Sequence, residues 1–169
     1  GGAIITNAGA YGGEVSDVIV EVNHIDDKGN FGSLIGEEID FSYRHSAYET
    51  NGYTICSAVF VCEKGNKDEI KAKMDELIGR RREKQPLEFG SAGSTFKRPK
   101  GGYAASLIEQ AGLKGTCVGD AEVSTKHSGF VINKGKATCN DVLQLIDIIK
   151  KKVYETSGIM LECEVRIVK

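Results

Sequence analysis

Residues 130–153 read FVINKGKATCNDVLQLIDIIKKKV. A short apolar run at 130–132 gives way to a Gly-containing turn. A long stretch follows in which Val142, Leu145, Ile146, Ile149 and Val153 recur at helical spacing. The first part predicts a strand, and residues 140–155 predict a helix that Gly158 stops. Downstream, residues 161–168, LECEVRIV, set Leu161, Cys163, Val165 and Ile167 against Glu162, Glu164 and Arg166, which predicts a half-buried closing strand. Upstream, a short strand is expected at 117–118. A helix is expected at 103–111, with Leu107, Ile108 and Ala111 on one side and Gly112 as its stop. Residues 66–84 predict another helix, entered by Asn66 with Glu69, facing inward through Ile70, Met74, Leu77 and Ile78, and ended by Pro86. Residues 15–25 and 53–62 alternate or are rich in β-branched and aromatic residues, so both predict strands. Residues 26–30 form a turn cluster that reverses the first. The segment holding IDFSYRHSAYE is expected to be irregular or to carry short helical turns. This mixture predicts the α+β class, in two lobes with a boundary near residues 85–90.

Apolar residues make up 40% of the 169 and charged residues 27%, which is a globular composition long enough to build a core. A formal net charge of -2 argues against a nucleic-acid or anionic-membrane binder. No apolar run approaches a membrane span. The chain starts Gly1-Gly2 and runs straight into Ala3-Ile4-Ile5, as though it begins inside a fold. Cys56, Cys62, Cys117, Cys139 and Cys163 are widely spaced without a C-x-x-C pair. That predicts no zinc site and mostly buried thiols in a reducing cytosol.

Residues 90–99, GSAGSTFKRP, are read as a loop between two helices. A phosphate loop needs Gly, then Lys, then Ser or Thr before a helix, and the order here is wrong. A nucleophile elbow needs a second Gly after Ser94 and a strand before it. No histidine near Ser94 supplies a base pattern. A plain turn and an anion-holding loop, with Lys97 and Arg98 beside it, both remain open. Arg44 beside Tyr43 could hold a carboxylate or serve a structural ion pair. The run Arg80-Arg81-Arg82 suits a helix C-terminus without further function.

Taken in order, NAGAYGGE (7–14), YRHSAY (43–48), KQP (84–86), SAGSTFKRP (91–99), the AG.KG…G.A.VS.KH.GF.IN.G.AT..DV series (111–142) and LECEVRIV resemble the UDP-N-acetylenolpyruvoylglucosamine reductase family. The resemblance covers nearly the whole chain. It implies the second half of a two-lobed FAD-binding domain at residues 1–85, an α/β substrate-binding domain at 86–157, and a strand at 158–169 that returns to the FAD domain. It also implies the insertion-free subtype. The implied reaction takes hydride from NADPH to FAD and on to C3 of UDP-N-acetylglucosamine enolpyruvate, in the cytoplasm, without metal, nucleic acid or membrane. Ser94 then matches the proton donor to C2. A serine hydroxyl is so weak an acid that nearby cations, Lys84 and Lys97, would have to help it. Arg44 and Glu164 match the pair that holds and polarises the enolpyruvyl carboxylate. A carboxylate in that place works only if protonated or hydrogen-bonded. Asn7, Ala8, Gly9, Tyr11, Gly12 and Arg166 match cofactor-binding positions. Lys84, Lys97 and Arg98 match substrate-binding positions, Arg98 in place of the Asn that some members carry. Residues 1–3 resemble part of a strand, and a first flavin lobe would lie before them. This chain alone is therefore expected to bind FAD weakly and to be inactive. The alternative is a non-catalytic fragment that retains only UDP-sugar binding. The 91–94 and 164–166 blocks argue against a related flavin oxidase.

Overall fold

The structure, a computed structural model, describes residues 1–168. It divides into two compact units, Gly1–Asn66 and a second that begins at Lys67.

The first unit opens with a single helical turn, α1 (Gly2–Ile5), not the strand expected there. Its backbone closes on itself, with Ile4 and Ile5 N–H both donating to Gly1 C=O at 3.0 Å. Two two-residue strands, β1 (Gly9–Ala10) and β2 (Gly13–Glu14), form a hairpin. Next comes β3 (Ile19–Ile25), the centre of an antiparallel sheet ordered β4-β3-β5, with β4 at Phe31–Ile35 and β5 at Thr54–Phe60. The strand expected at 15–25 starts late, because Val15–Asp17 is a 3-10 turn. Asp17 closes it by accepting the Glu14 N–H at 2.7 Å. The expected reversal at 26–30 is present. Asp26 Oδ1 accepts both Lys28 and Asn30 N–H at 2.8 Å, a turn built on an Asp side chain. The segment before β5 carries β4 and two further 3-10 turns, Gly36–Ile39 and Ala47–Glu49.

The core of this unit is small: Ile4, Ile19, Val22, Ile39 and Tyr48. A polar lock reinforces it. The Tyr48 hydroxyl donates to Val22 C=O at 3.0 Å and meets His24 Nδ1 at 2.8 Å. A phenol has one proton, so His24 is the donor in the second bond. Burial pushes the Tyr48 phenol up to about 12. The His24 ring also stacks on Tyr53 at 4.6 Å.

The second unit begins with α2 (Lys67–Lys84), ended as expected ahead of Pro86. Its expected apolar face is not buried, however. Ile70, Met74 and Ile78 are exposed and Leu77 is half-buried. Charged residues surround these four, and pairs such as Lys71–Asp75 and Lys73–Glu76 along the helix support it without a core contact. A four-stranded antiparallel sheet follows, ordered β6-β9-β8-β7, with β6 (Gly90–Ser94), β7 (Cys117–Val118), β8 (Ala121–Val123) and β9 (Phe130–Asn133). Two further helices belong to this unit. α3 (Ala104–Gln110) buries Ala104 and Ile108. α4 (Cys139–Ser157) buries Leu145, Ile146, Ile149 and Val153, most of its predicted stripe. The entry to α4 is a capping box. Asp141 N–H donates to Thr138 Oγ1 at 3.2 Å, and the Asp141 carboxylate accepts the Thr138 N–H at 2.7 Å. Gly158 takes the left-handed conformation that ends it.

Residues 90–94 are thus a strand and not a loop. Gly, Ser and Ala have little strand preference of their own, and pairing with β9 imposes it. The pairing shifts register between Ser91 and Ser94, where Gly93 sits at φ 85°, a bulge that glycine permits. The closing strand expected at 161–168 is reduced to one bridge, Phe96 with Cys163. Two breakers bound the partner segment: the Gly93 bulge on one side and Pro99, which lacks an N–H, on the other. Leu161 is nevertheless buried in the core, and Cys163 and Val165 pack against it. Lys169 lies outside the described residues. The cysteines are not mostly buried either: Cys56, Cys62, Cys117 and Cys139 are exposed and Cys163 is half-buried. Among the described residues, no helix is long and apolar enough to cross a membrane.

Candidate active site

The candidate residues fall into two groups, one in each unit. In the first unit they concentrate at unusual backbone positions. Among the described residues four non-glycines have positive φ: Asn7, Tyr11, Asp40 and Arg44. Three of these were singled out from the sequence. A side chain held in the left-handed region costs of order 1–3 kcal/mol, and such strain clusters at functional sites.

Asn7 is buried, and its side chain serves both neighbours. Oδ1 accepts the Ser16 N–H at 2.9 Å, and Nδ2 donates to Ser42 C=O at 3.4 Å. Ala8 follows, its N–H on Ala3 C=O at 2.8 Å. Gly9 then enters the hairpin, where a Cβ would stand 3.2 Å from Glu14 Cβ and crowd the facing strand. Tyr11 at φ 56° and Gly12 at φ 87° are its two-residue tip, the double positive φ of a type I′ turn. The Tyr11 ring stands 55% exposed.

Arg44 lies in a second tight turn. Ser42 and His45 exchange both backbone bonds at 3.1 Å around Tyr43 and Arg44. The guanidinium lies 5.4 Å from the Tyr43 ring centroid. Since Ser42 receives the Asn7 amide, the fold brings the Asn7 loop and the Arg44 turn together. Buried Ser46 adds a second tie, donating its hydroxyl to Ile5 C=O at 3.1 Å. His45 is clasped by Glu49 at 2.7 Å and Asp40 at 3.5 Å. The Glu49 hydrogen bond is the main reason its imidazole holds a proton above the usual histidine range.

In the second unit, Ser94 ends β6 in an exposed position. The next residue, Thr95, is the joint of this group. Its N–H donates to Gly129 C=O at 2.9 Å, its Oγ1 accepts the Val131 N–H at 3.1 Å, and its C=O accepts the Glu164 N–H at 2.9 Å. One buried residue therefore fixes the Ser94 strand to β9 and sets the Glu164 backbone beside it. The Lys97 N–H donates to Glu162 C=O at 2.9 Å, and their side chains form an ion pair. Ser94, Lys97 and Glu164 share this sheet edge, and exposed Arg166 continues the same segment. Lys84 and Arg98 are held elsewhere in the unit. Lys84 ends α2, where Lys126 Nζ donates to Arg82 C=O at 2.9 Å. Arg98 lies 4.2 Å over the Tyr103 ring and donates to Gly102 C=O at 3.3 Å. His127 is half-buried, and burial pulls its imidazole below the usual range. Its Nδ1 accepts the Gly129 N–H at 3.1 Å.

Thr95, Ser46 and His45 were missed as site residues. For His45 the signal was present in the sequence, because Glu49 stands four residues on. Thr95 and Ser46 act through long-range bonds that no local pattern announces.

The first unit thus carries an arginine turn and a Gly-Tyr hairpin at positive φ, and the second a sheet edge with Ser94 and Glu164. Residues 85–168 match the family model described as UDP-N-acetylenolpyruvoylglucosamine reductase, C-terminal domain. The chain is 58% identical over 168 residues to the UDP-N-acetylenolpyruvoylglucosamine reductase of Clostridium novyi (strain NT), and 54% over 168 residues to that of Clostridium kluyveri (strain NBRC 12016). Each match spans 99% of this chain and 55% of the relative. The crystal structure of UDP-N-acetylenolpyruvylglucosamine reductase (MurB) from Thermus caldophilus superposes with a TM-score of 0.84 at 37% identity, covering 98% of this chain and 59% of that one. The chain belongs to the UDP-N-acetylenolpyruvoylglucosamine reductase family, and it spans about half the length of the curated relatives it matches.

Proposed function

We propose that the chain supplies the carboxylate grip and the proton donor for an FAD-dependent, NADPH-driven reduction of UDP-N-acetylglucosamine enolpyruvate to UDP-N-acetylmuramate, a cytoplasmic step of peptidoglycan precursor synthesis. The observation that carries this reading is the joint at Thr95, which sets Ser94 and Glu164 on one sheet edge. A donor of a proton to C2 and a group that polarises the adjoining carboxylate have to act on neighbouring atoms.

The first-unit residues fit a flavin. The hairpin tip presents small residues and one aromatic ring, and a Cβ on Gly12 would meet nothing within 4 Å, so the surface is open to a flat ring. Asn7, Ala8, Gly9, Tyr11 and Gly12 would hold FAD there, and Arg166 is the remaining cofactor ligand that the family resemblance implies. Bound FAD, reduced by NADPH, would supply hydride to C3 of the enolpyruvyl group. Arg44 would pair with the carboxylate and favour the charge that spreads into it. Glu164 would share that carboxylate through a hydrogen bond, which its side chain can donate only in the acid form. Ser94 would deliver the proton to C2, completing the addition of two hydrogens across the double bond. A cation must steady the resulting alkoxide. Glu162 already draws on Lys97, so Lys84 is the other candidate. Lys84, Lys97 and Arg98 would also meet the substrate's diphosphate.

A titration of the chain with FAD, followed by flavin fluorescence with and without the enolpyruvyl sugar nucleotide, tests the reading. Weak but saturable quenching is expected of this chain alone. In a protein of the relatives' full length, Ser94→Ala should slow substrate reduction about 10²–10⁴-fold and leave flavin reduction by NADPH unchanged. An equal fall in both half-reactions overturns the role of Ser94. A second reading, UDP-sugar binding without catalysis, draws on the family match lying wholly within the second unit. A thermal shift with the sugar nucleotide and no flavin response would favour it.

A further inference from the structure

His45 stands next to Arg44 and closes its turn, yet the proposed reaction gives it no role. Both ring nitrogens face carboxylates: Nδ1 meets Glu49 Oε2 at 2.7 Å and Nε2 meets Asp40 Oδ2 at 3.5 Å. A carboxylate only accepts. A neutral imidazole has one N–H and could satisfy one of the two, so the arrangement calls for the doubly protonated ring. The two acids come from different elements. Asp40 caps the 3-10 turn Gly36–Ile39 in a left-handed conformation, and Glu49 ends the 3-10 turn Ala47–Glu49. The His45 backbone meanwhile makes both bonds that close the turn around Arg44. The ring is therefore a cross-tie between the two ends of the segment that carries Arg44.

We propose that His45 is a positioning residue for Arg44: its imidazolium, clasped between Asp40 and Glu49, locks the Ser42–His45 turn, so that the arginine is ordered while His45 is protonated and loosens when it is not. The charged groups facing the ring are Asp40 and Glu49, while the neighbouring Arg44 guanidinium lies over the Tyr43 ring. Desolvation opposes protonation, and the two acids, with Glu49 the closer and only 30% exposed, outweigh it. The direction agrees, since hydrogen bonding to Glu49 raises the proton affinity of the ring. The consequence for substrate rests on the reading of Arg44 as carboxylate ligand. The ordering of the turn does not.

The test follows amide exchange and ¹⁵N relaxation in the whole labelled chain from pH 5 to 9. Protection factors of the Ser42 and His45 amides, with the intrinsic pH dependence divided out, should fall several-fold as the His45 ring titrates. The Arg44 amide should gain fast motion at the same midpoint. Glu49→Gln should move both midpoints down together, and by more than Asp40→Asn. His45→Gln, which keeps a donor but cannot titrate, should abolish the step. Protection and Arg44 order that stay flat through the ring titration overturn the proposal, as does a step that survives in His45→Gln. Failure of Arg44→Ala to weaken binding of the enolpyruvyl sugar nucleotide would sink only the ligand role of Arg44.

Discussion

The two units hold their candidate residues by different physics. In the first, five core residues are assisted by polar locks, and the site sits on strained turns. In the second, twelve buried residues packed by α3, α4 and the sheet make a continuous core, and the site lies on a strand edge pinned by one threonine. A small core cannot over-determine its loops by packing alone. Hydrogen bonds from Asn7, Ser46, Tyr48 and His45 do that work instead. The large core needs only Thr95 to tie its edge.

The sharpest way to break this contrast is to remove one packing group from each side. Ile149→Ala should cost about 2–5 kcal/mol, read as urea unfolding of second-unit resonances, because Ile149 is fully buried under the sheet. Loss confined to a few tenths would mean that the α4 face is not what holds the unit. Tyr48→Phe in the first unit leaves the buried His24 N–H without its acceptor and should cost about 1–3 kcal/mol, seen in first-unit signals. Thr138→Ala removes the α4 cap and should cost about 1 kcal/mol, with fraying confined to residues 139–142 by amide exchange.

The smallest effect is in pH, and there the units should move in opposite directions. His45 has a raised value, so its contribution is full below the ordinary histidine value of 6.5 and is lost as pH rises through the raised one. His127 has a lowered value, so its contribution is full above 6.5 and is lost as pH falls through the lowered one. Protonating His127 also forfeits the bond that Nδ1 accepts from Gly129. Between pH 8 and 5, first-unit signals should melt slightly later and second-unit signals slightly earlier. Slopes of the same sign would break the comparison. His127→Gln should flatten the second slope alone.

Several elements were legible in the residues because they depend on near neighbours. The α4 stripe, Gly158 at its end, α3 with Gly112, and the Asp26 turn all follow from spacing and local bonding. Others were not. Residues 90–94 carry no strand signal, since the pairing comes from β9 some forty positions on. The 161–168 segment has a perfect alternation and still forms one bridge, because the Gly93 bulge and Pro99 leave it almost no partner. The α2 face looked buried because periodicity records which residues align, not whether anything packs on them.

Sequence alone therefore determined the longer helices α2, α3 and α4, the reversal at Asp26, the family and the chemical types at each site position, all of which are set within a few residues or by the order of motifs. Tertiary structure decided that Asn7 meets the Arg44 turn, that Thr95 joins Ser94 to Glu164, and that His45 lies between two acids. Each of these joins groups by a hydrogen bond or ion pair whose geometry exists only once the backbone has placed donor and acceptor within about 3 Å.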